Sequence, residues 1–194
     1  MALIDTVIAL MDGNPSADVT IQQVLTASGI TSGSLYYHFE DFQDLIDHSL
    51  AELYGQFADD IRVRLTYIIG SSNTPEETFQ KLSPAIDDRH IPDFSAVRSA
   101  RAWIAAQATL RPSLGEKLRE EQARVTQEIA ELIADAQARG IAQEGLDPYV
   151  VAVFIEAYTM GRIVDDLAGS PMNEYHWAEF IKHMITKSIM NFEK

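Results

Sequence analysis

An all-α fold is predicted by three features of this 194-residue chain. Apolar residues recur at helical spacing in about nine stretches between Leu3 and Phe192, each bounded by capping residues, glycine or proline. No segment of useful length alternates with the two-residue period of a strand, and no internal repeat or low-complexity tract breaks the pattern. The third feature is Val19 to Asp47, VTIQQVLTASGITSGSLYYHFEDFQDLID, where two short helices are predicted to meet at a tight turn.

Helix one is read from Leu3, Ile4, Val7, Ile8, Leu10 and Met11, and Asp12-Gly13-Asn14-Pro15 stops it. Thr20 with Gln23 is a capping-box pattern for helix two, whose inner face is Ile21, Val24 and Leu25. Ala27-Ser28-Gly29 ends that helix with a residue that tolerates positive φ. Thr31 offers a second N-cap, and Leu35 and Phe39, four apart, give helix three an inner side. Phe42, Leu45, Ile46, Leu50, Leu53, Phe57, Ile61, Leu65 and Ile68 then form one stripe. A helix of that span is roughly 40 Å long.

Gly70 to Pro75 breaks the composition, and Thr74-Pro75-Glu76-Glu77 opens a fifth helix expected to run to about Asp88. A loop around His90-Ile91-Pro92-Asp93 precedes a sixth from Phe94 to Thr109. Pro112 opens a seventh, striped by Leu114, Leu118, Val125, Ile129, Leu132, Ile133 and Ala136, and Gly140 closes it. Tyr149 to Leu167, capped by Asp147-Pro148, is apolar over most of its circumference. Glu174 to Phe192 repeats that pattern with Trp177, Phe180, Ile181, Met184, Ile185 and Ile189. Such helices need cover on two sides, more than one chain of this size supplies, which predicts a second copy.

Helix three carries Thr31, Ser32, Gly33, Ser34, Tyr36, Tyr37 and His38. These are small hydroxyls and flat polar rings that a core of this size does not need, and they suit a DNA major groove. The segment GITSGSLYYHF resembles the recognition segment of the tetracycline-repressor (TetR) type of bacterial transcription regulators, approximately G-[VI]-S-x-G-x-L-Y-x-H-F. Thr20, Ala27, Gly29 and Leu45 fit that pattern as well. The specific resemblance covers Leu3 to Leu50.

It implies a DNA-binding head at residues 1–48 and a helical ligand-binding and dimerisation domain at 49–194. The last two helices would pair with those of a second copy in a four-helix bundle. The implied function is a cytoplasmic, ligand-responsive, sequence-specific regulator, most simply a repressor, with an operator in double-stranded DNA and a small-molecule effector as partners. The residues expected to meet DNA are Thr20, Thr31, Ser32, Gly33, Ser34, Tyr36, Tyr37 and His38. Those expected to meet an apolar or weakly anionic effector are Phe79, Phe94, Arg101, Trp103, Gln107, Phe154 and Tyr158, a largely apolar set with a few polar groups to fix orientation.

Charge argues against the DNA role. The chain has 15 Lys and Arg against 29 Asp and Glu, a net −14. Residues 1–50 hold seven acids and no Lys or Arg, and the first cation is Arg62. The family commonly has a basic residue where Ser32 and Phe42 stand here, and a longer, often basic, lead-in to helix one. Phosphate contact is left to hydroxyls, to His38 when protonated and to the N-terminal amides of helices two, three and four, with Glu40, Asp41 and Asp44 opposing. The competing reading is a TetR-fold protein whose head has stopped binding DNA and serves as an effector-binding or protein-interaction module.

No enzyme is expected. The five histidines are scattered, and no metalloprotease, nucleophile-elbow or phosphate-loop pattern occurs. With no cysteine there is no disulfide framework or thiolate site. No cofactor or metal is called for, and no apolar run approaches the roughly 20 residues that span a bilayer.

Overall fold

The computed structural model describes residues 2–86, 94–170 and 172–192, with the side chains of Phe57 and Phe94 excepted. Among these residues the chain is all-α, with no strand and one isolated backbone bridge, Ala142 to Met190. The helices are α1 (Ala2–Met11), α2 (Ile21–Ser28), α3 (Ser32–His38), α4 (Phe42–Gly70), α5 (Pro75–Ile86), α6 (Phe94–Ala108), α7 (Pro112–Ala138), α8 (Pro148–Gly161), α9 (Ile163–Asp166) and α10 (Glu174–Ser188). Counting the four-residue α9 as a last turn of α8 leaves nine, as predicted. No helix among the described residues is long and apolar enough to cross a membrane.

The chain divides into two compact units, Met1–Ala58 with Ala96–Ala123, and Asp59–Ser95 with Arg124–Lys194. The core of the first unit is made by side chains spaced three or four apart on each helix. Leu3, Val7 and Met11 of α1, Val24 of α2, Leu35 of α3 and Leu45, Leu50 and Leu53 of α4 are buried together with Ile104, Leu114 and Leu118. A Cβ at Gly55 would meet the Glu121 side chain, which would have to move aside. Tyr54 beside it donates its hydroxyl to Gln122 Oε1 at 2.9 Å, so α4 and α7 approach closely within this unit.

The second unit has its own cluster, Ile69, Ala136, Ile141, Ala142, Ile181, Ile185 and Met190, with Leu65, Phe79, Tyr158 and Trp177 packed on it. Arg139 binds the end of α4: its Nη1 donates to Ile69 O at 3.0 Å and its Nη2 to Ser72 O, just beyond the helix. Gly140, at φ +72°, ends α7 in a Schellman turn, with Ile141 N on Ala136 O at 2.8 Å and Gly140 N on Gln137 O at 2.9 Å.

Helix ends near the C-terminus differ from those the sequence predicts. The stretch from Tyr149 to Leu167 is interrupted at Arg162, after Gly161, and resumes only as α9. There the Asp165 carboxylate accepts the Met172 amide at 2.9 Å and holds the chain in a turn. α10 stops at Ser188 rather than Phe192, because Gln143 N donates to Ile189 O at 2.8 Å and Asn191 N to Ile141 O at 3.0 Å. That pairing takes the backbone out of the helix. α5 is described to Ile86, and the expected loop at His90 to Asp93 lies outside the described residues.

Candidate nucleic-acid interface

The exposed helix of the first unit is built by two caps and one glycine. Thr20 Oγ1 accepts Gln23 N at 3.4 Å while Gln23 Oε1 accepts Thr20 N at 2.8 Å, closing the capping box of α2. Gly29, at φ +67°, ends α2 with its amide on Leu25 O, a left-handed position that a side chain would strain. Thr31 Oγ1 then accepts Ser34 N at 3.3 Å and starts α3. Leu35 is fully buried in the head core and pins the helix by one face. Ser32, Gly33, Ser34, Tyr36, Tyr37 and His38 are all exposed, Tyr37 at 83%. The rings of Tyr37 and His38 meet edge to face at 4.9 Å.

α3 is a helix of seven residues with one buried leucine and six outward hydroxyl, glycine and ring groups, all left exposed among the described residues. Its hydroxyls are not equally available. Thr20 gives its proton to Gln23 Oε1 at 2.8 Å and is occupied by capping on both counts. Thr31 accepts the Ser34 amide but has no acceptor for its own proton among the described residues. The N-terminal amides predicted to meet phosphate are partly taken too: Gln23 N by Thr20, Ser34 N by Thr31, and Asp44 N by Asp41 Oδ1 at 2.8 Å.

The acids below α3 do not all face outward. Asp44 lies 3.0 Å from Lys117 Nζ, and Asp47, 3% exposed, is ion-paired with Arg111. Burial favours a neutral Asp44. Hydrogen bonds from Lys117 and the Glu40 amide, with the charges of Lys117 and His48, outweigh it and hold the carboxyl below the ordinary aspartate range. Of the three opposing acids, Glu40 and Asp41 are exposed and have no cation on them among the described residues. The sequence gives no signal for Lys117 or Arg111, which are distant along the chain and reach α4 through tertiary packing alone. The first unit holds eight acids and no Lys or Arg in residues 1–58, and five cations against three acids in residues 96–123, a net −6.

The residues expected to meet an effector are divided between the two units. Arg101, Trp103 and Gln107 belong to the first unit and Phe79, Phe154 and Tyr158 to the second, while the Phe94 side chain lies outside the described residues. Arg101 is 4% exposed, with its guanidinium carbon 4.3 Å from the centre of the Tyr54 ring, a cation over a π face. Trp103 edges the head core. Phe154 and Tyr158 meet at 5.7 Å, and burial pushes the Tyr158 hydroxyl pKa up. Phe79 packs edge-on against Phe192 at 6.2 Å. A cavity of about 620 Å³ in the second unit is lined by Gln143, Glu144, Thr186, Lys187, Met190, Asn191 and Phe192, none of them in the expected set. No group of three metal-ligating side chains occurs among the described residues.

No protein-family model matches the chain, and no curated protein does. Solved structures match closely in fold. A protein of Mesorhizobium loti assigned to the TetR family of transcriptional regulators gives a TM-score of 0.66 at 18% identity, over 96% of this chain and 92% of that one. A TetR transcription regulator from Haloarcula marismortui gives 0.62 at 15% identity, over 97% and 96%. A transcriptional regulator from Saccharomonospora viridis in complex with choline gives 0.61 at 18% identity, over 97% and 96%. The chain has the fold of the TetR-family regulators over nearly its whole length, the fold that the segment GITSGSLYYHF implies.

Proposed function

We propose that this chain is a cytoplasmic, homodimeric, sequence-specific DNA-binding regulator whose operator occupancy responds to a small molecule, and that it acts as a repressor. The observation that carries the reading is α3. It is pinned by Leu35 and presents Ser32, Ser34, Tyr36, Tyr37 and His38 to solvent, a helix face that base edges and thymine methyls complement. Two copies are favoured by apolar residues left outward on α8 and α10: Val150 at 63%, Val153 at 45%, Tyr175 at 53% and Phe180 at 55% exposed. A two-fold pairing of these helices would also place two heads for half-site recognition.

The effector reading rests on less, since its seven candidate residues are divided between the two units. A second reading is favoured by one observation, the net −6 of the unit that contains α3. In that reading the head no longer binds DNA, and the protein is an effector-binding or protein-interaction module.

Selection of bound sequences from a random DNA pool at low salt separates the two. Enrichment of a two-fold symmetric site, lost in Tyr37→Ala, is the outcome expected of the regulator. A pool that stays random, with Ser32→Lys/Phe42→Lys equally inert, would establish the second reading.

A further inference from the structure

Arg111, just before α7, and Lys117, in its second turn, bring two cations to the acids at the start of α4, within the unit that contains the recognition helix. We propose that Lys117, assisted by Arg111, is a positioning residue for α3: it fixes the Asp44 carboxylate where that group caps the Glu40 amide, and so fixes the turn by which α3 leads into α4. The inference rests on the reading of α3 as the DNA-contacting helix.

The bonds form a closed set. Asp44 Oδ1 lies 3.0 Å from Lys117 Nζ, and Asp44 Oδ2 accepts Glu40 N at 3.2 Å. Asp44 N donates to Asp41 Oδ1 at 2.8 Å, so residues 40–44 are tied at both ends. Phe39, the C-cap of α3, is extended at φ −129° and ψ 142°, and its ring meets that of His48 at 5.5 Å. One turn along α4, Asp47 accepts Gln43 Nε2 at 3.0 Å and pairs with Arg111.

Lys117 is itself held in place. Leu114 and Leu118 flank it and are buried in the same core as Leu35 and Leu45, so the cation and the recognition helix are referred to one set of packed side chains. A carboxylate so close to Glu40 and Asp41 would otherwise swing to water, because three acids in five residues repel. The groups facing Asp44 are Lys117, the Glu40 amide and His48, whose Nε2 is 3.6 Å away. Glu120 of α7 adds its charge to the field at His48. Lys117 and Asp44 are about four-fifths buried as side chains, so the pair is not freely screened.

The test uses full-length Lys117→Met, Lys117→Arg and Asp44→Ala/Lys117→Met, with thermal melts to establish folding. The readouts are the Glu40 amide in ¹H–¹⁵N spectra, affinity for the selected DNA and the salt slope of that affinity. Lys117→Met is expected to speed Glu40 amide exchange and weaken DNA binding, each about tenfold, the size of one lost charge-assisted hydrogen bond. Lys117→Arg keeps both, the salt slope is unchanged, and the double variant stays weak because the cap is still missing.

Three results would overturn the inference. A slope shallower by about 0.9 per site would put Lys117 on a phosphate instead. Full affinity in the double variant would reduce its role to shielding Asp44, and unchanged Glu40 exchange in Lys117→Met would remove the positioning altogether. If the unmodified protein selects no DNA, the proposed function fails, and the Glu40 amide alone still decides whether Lys117 sets the turn.

Discussion

Two ion-pair clusters tie α4 to α7, one in each compact unit, and they differ in burial. In the first, the side chains of Asp47 and Asp44 are 4% and 17% exposed, with Arg111 and Lys117 at 24% and 21%. In the second, Asp59, Arg62, Arg124 and Glu128 form a ring of contacts from 3.0 to 3.2 Å, but their side chains are 32 to 39% exposed. The groups are chemically alike and their consequences are not. Water and salt screen the second cluster, so losing one member matters little. The first leaves an unpaired charge against apolar neighbours when either partner is removed. Formal charge counted along the sequence treats both alike and so overstates the negative field at the head.

The largest loss should come from the core beneath the first cluster. Leu35→Ala is expected to lower unfolding free energy by about 3 kcal/mol in urea titration. Tyr37→Ala, at 83% exposure, should stay within about 0.5 kcal/mol while abolishing base preference. Next comes the comparison itself. Arg111→Met should cost about 2 to 3 kcal/mol by stranding Asp47, and Arg124→Met in the second cluster about 0.5 kcal/mol or less. Equal losses at the two sites would break the distinction.

The smallest effects are in pH. Burial, then the charge of Lys117, lower the His48 pKa against the pull of Asp44 and Glu120. A folded pKa below the unfolded one makes the neutral imidazole a source of stability. That stability is complete above about 6.5 and fades as the pH falls through the folded value. Asp44 and Asp59 are likewise lowered, burial opposing and their cationic partners prevailing. Their contributions are complete above about 3.8 and are lost in acid. Melting temperature should therefore fall in two steps, a shallow one below about pH 6.5 that His48→Gln removes and a steeper one below about pH 4.

Legibility in the sequence follows the range of the interaction. Thr20 with Gln23, Gly29 and Thr31 act within four residues of themselves, and α2, its turn and α3 could be read from them directly. Leu35 as the anchor follows from its spacing to Phe39. The end of α10 could not be read, because the Ile189 carbonyl is taken by Gln143, far back in the chain, while the apolar period runs on to Phe192. Nor could the partners of Asp44 and Asp47, since Lys117 and Arg111 carry no local mark of where they will pack. The division of the effector set was hidden for the same reason: Arg101, Trp103 and Tyr158 look alike as half-apolar candidates, and only the fold divides them between units.

The central claim is that a head with no Lys or Arg in its first 58 residues reads DNA through hydroxyls, rings and helix N-termini. The salt dependence of affinity for the selected sequence tests it most directly, because each phosphate neutralised by a cation contributes about 0.9 to the logarithmic slope. The predicted slope for the dimer is below about 4 in magnitude. A slope of about 7 or more would contradict the account and place other basic side chains, such as Arg62 or Arg64, on the duplex.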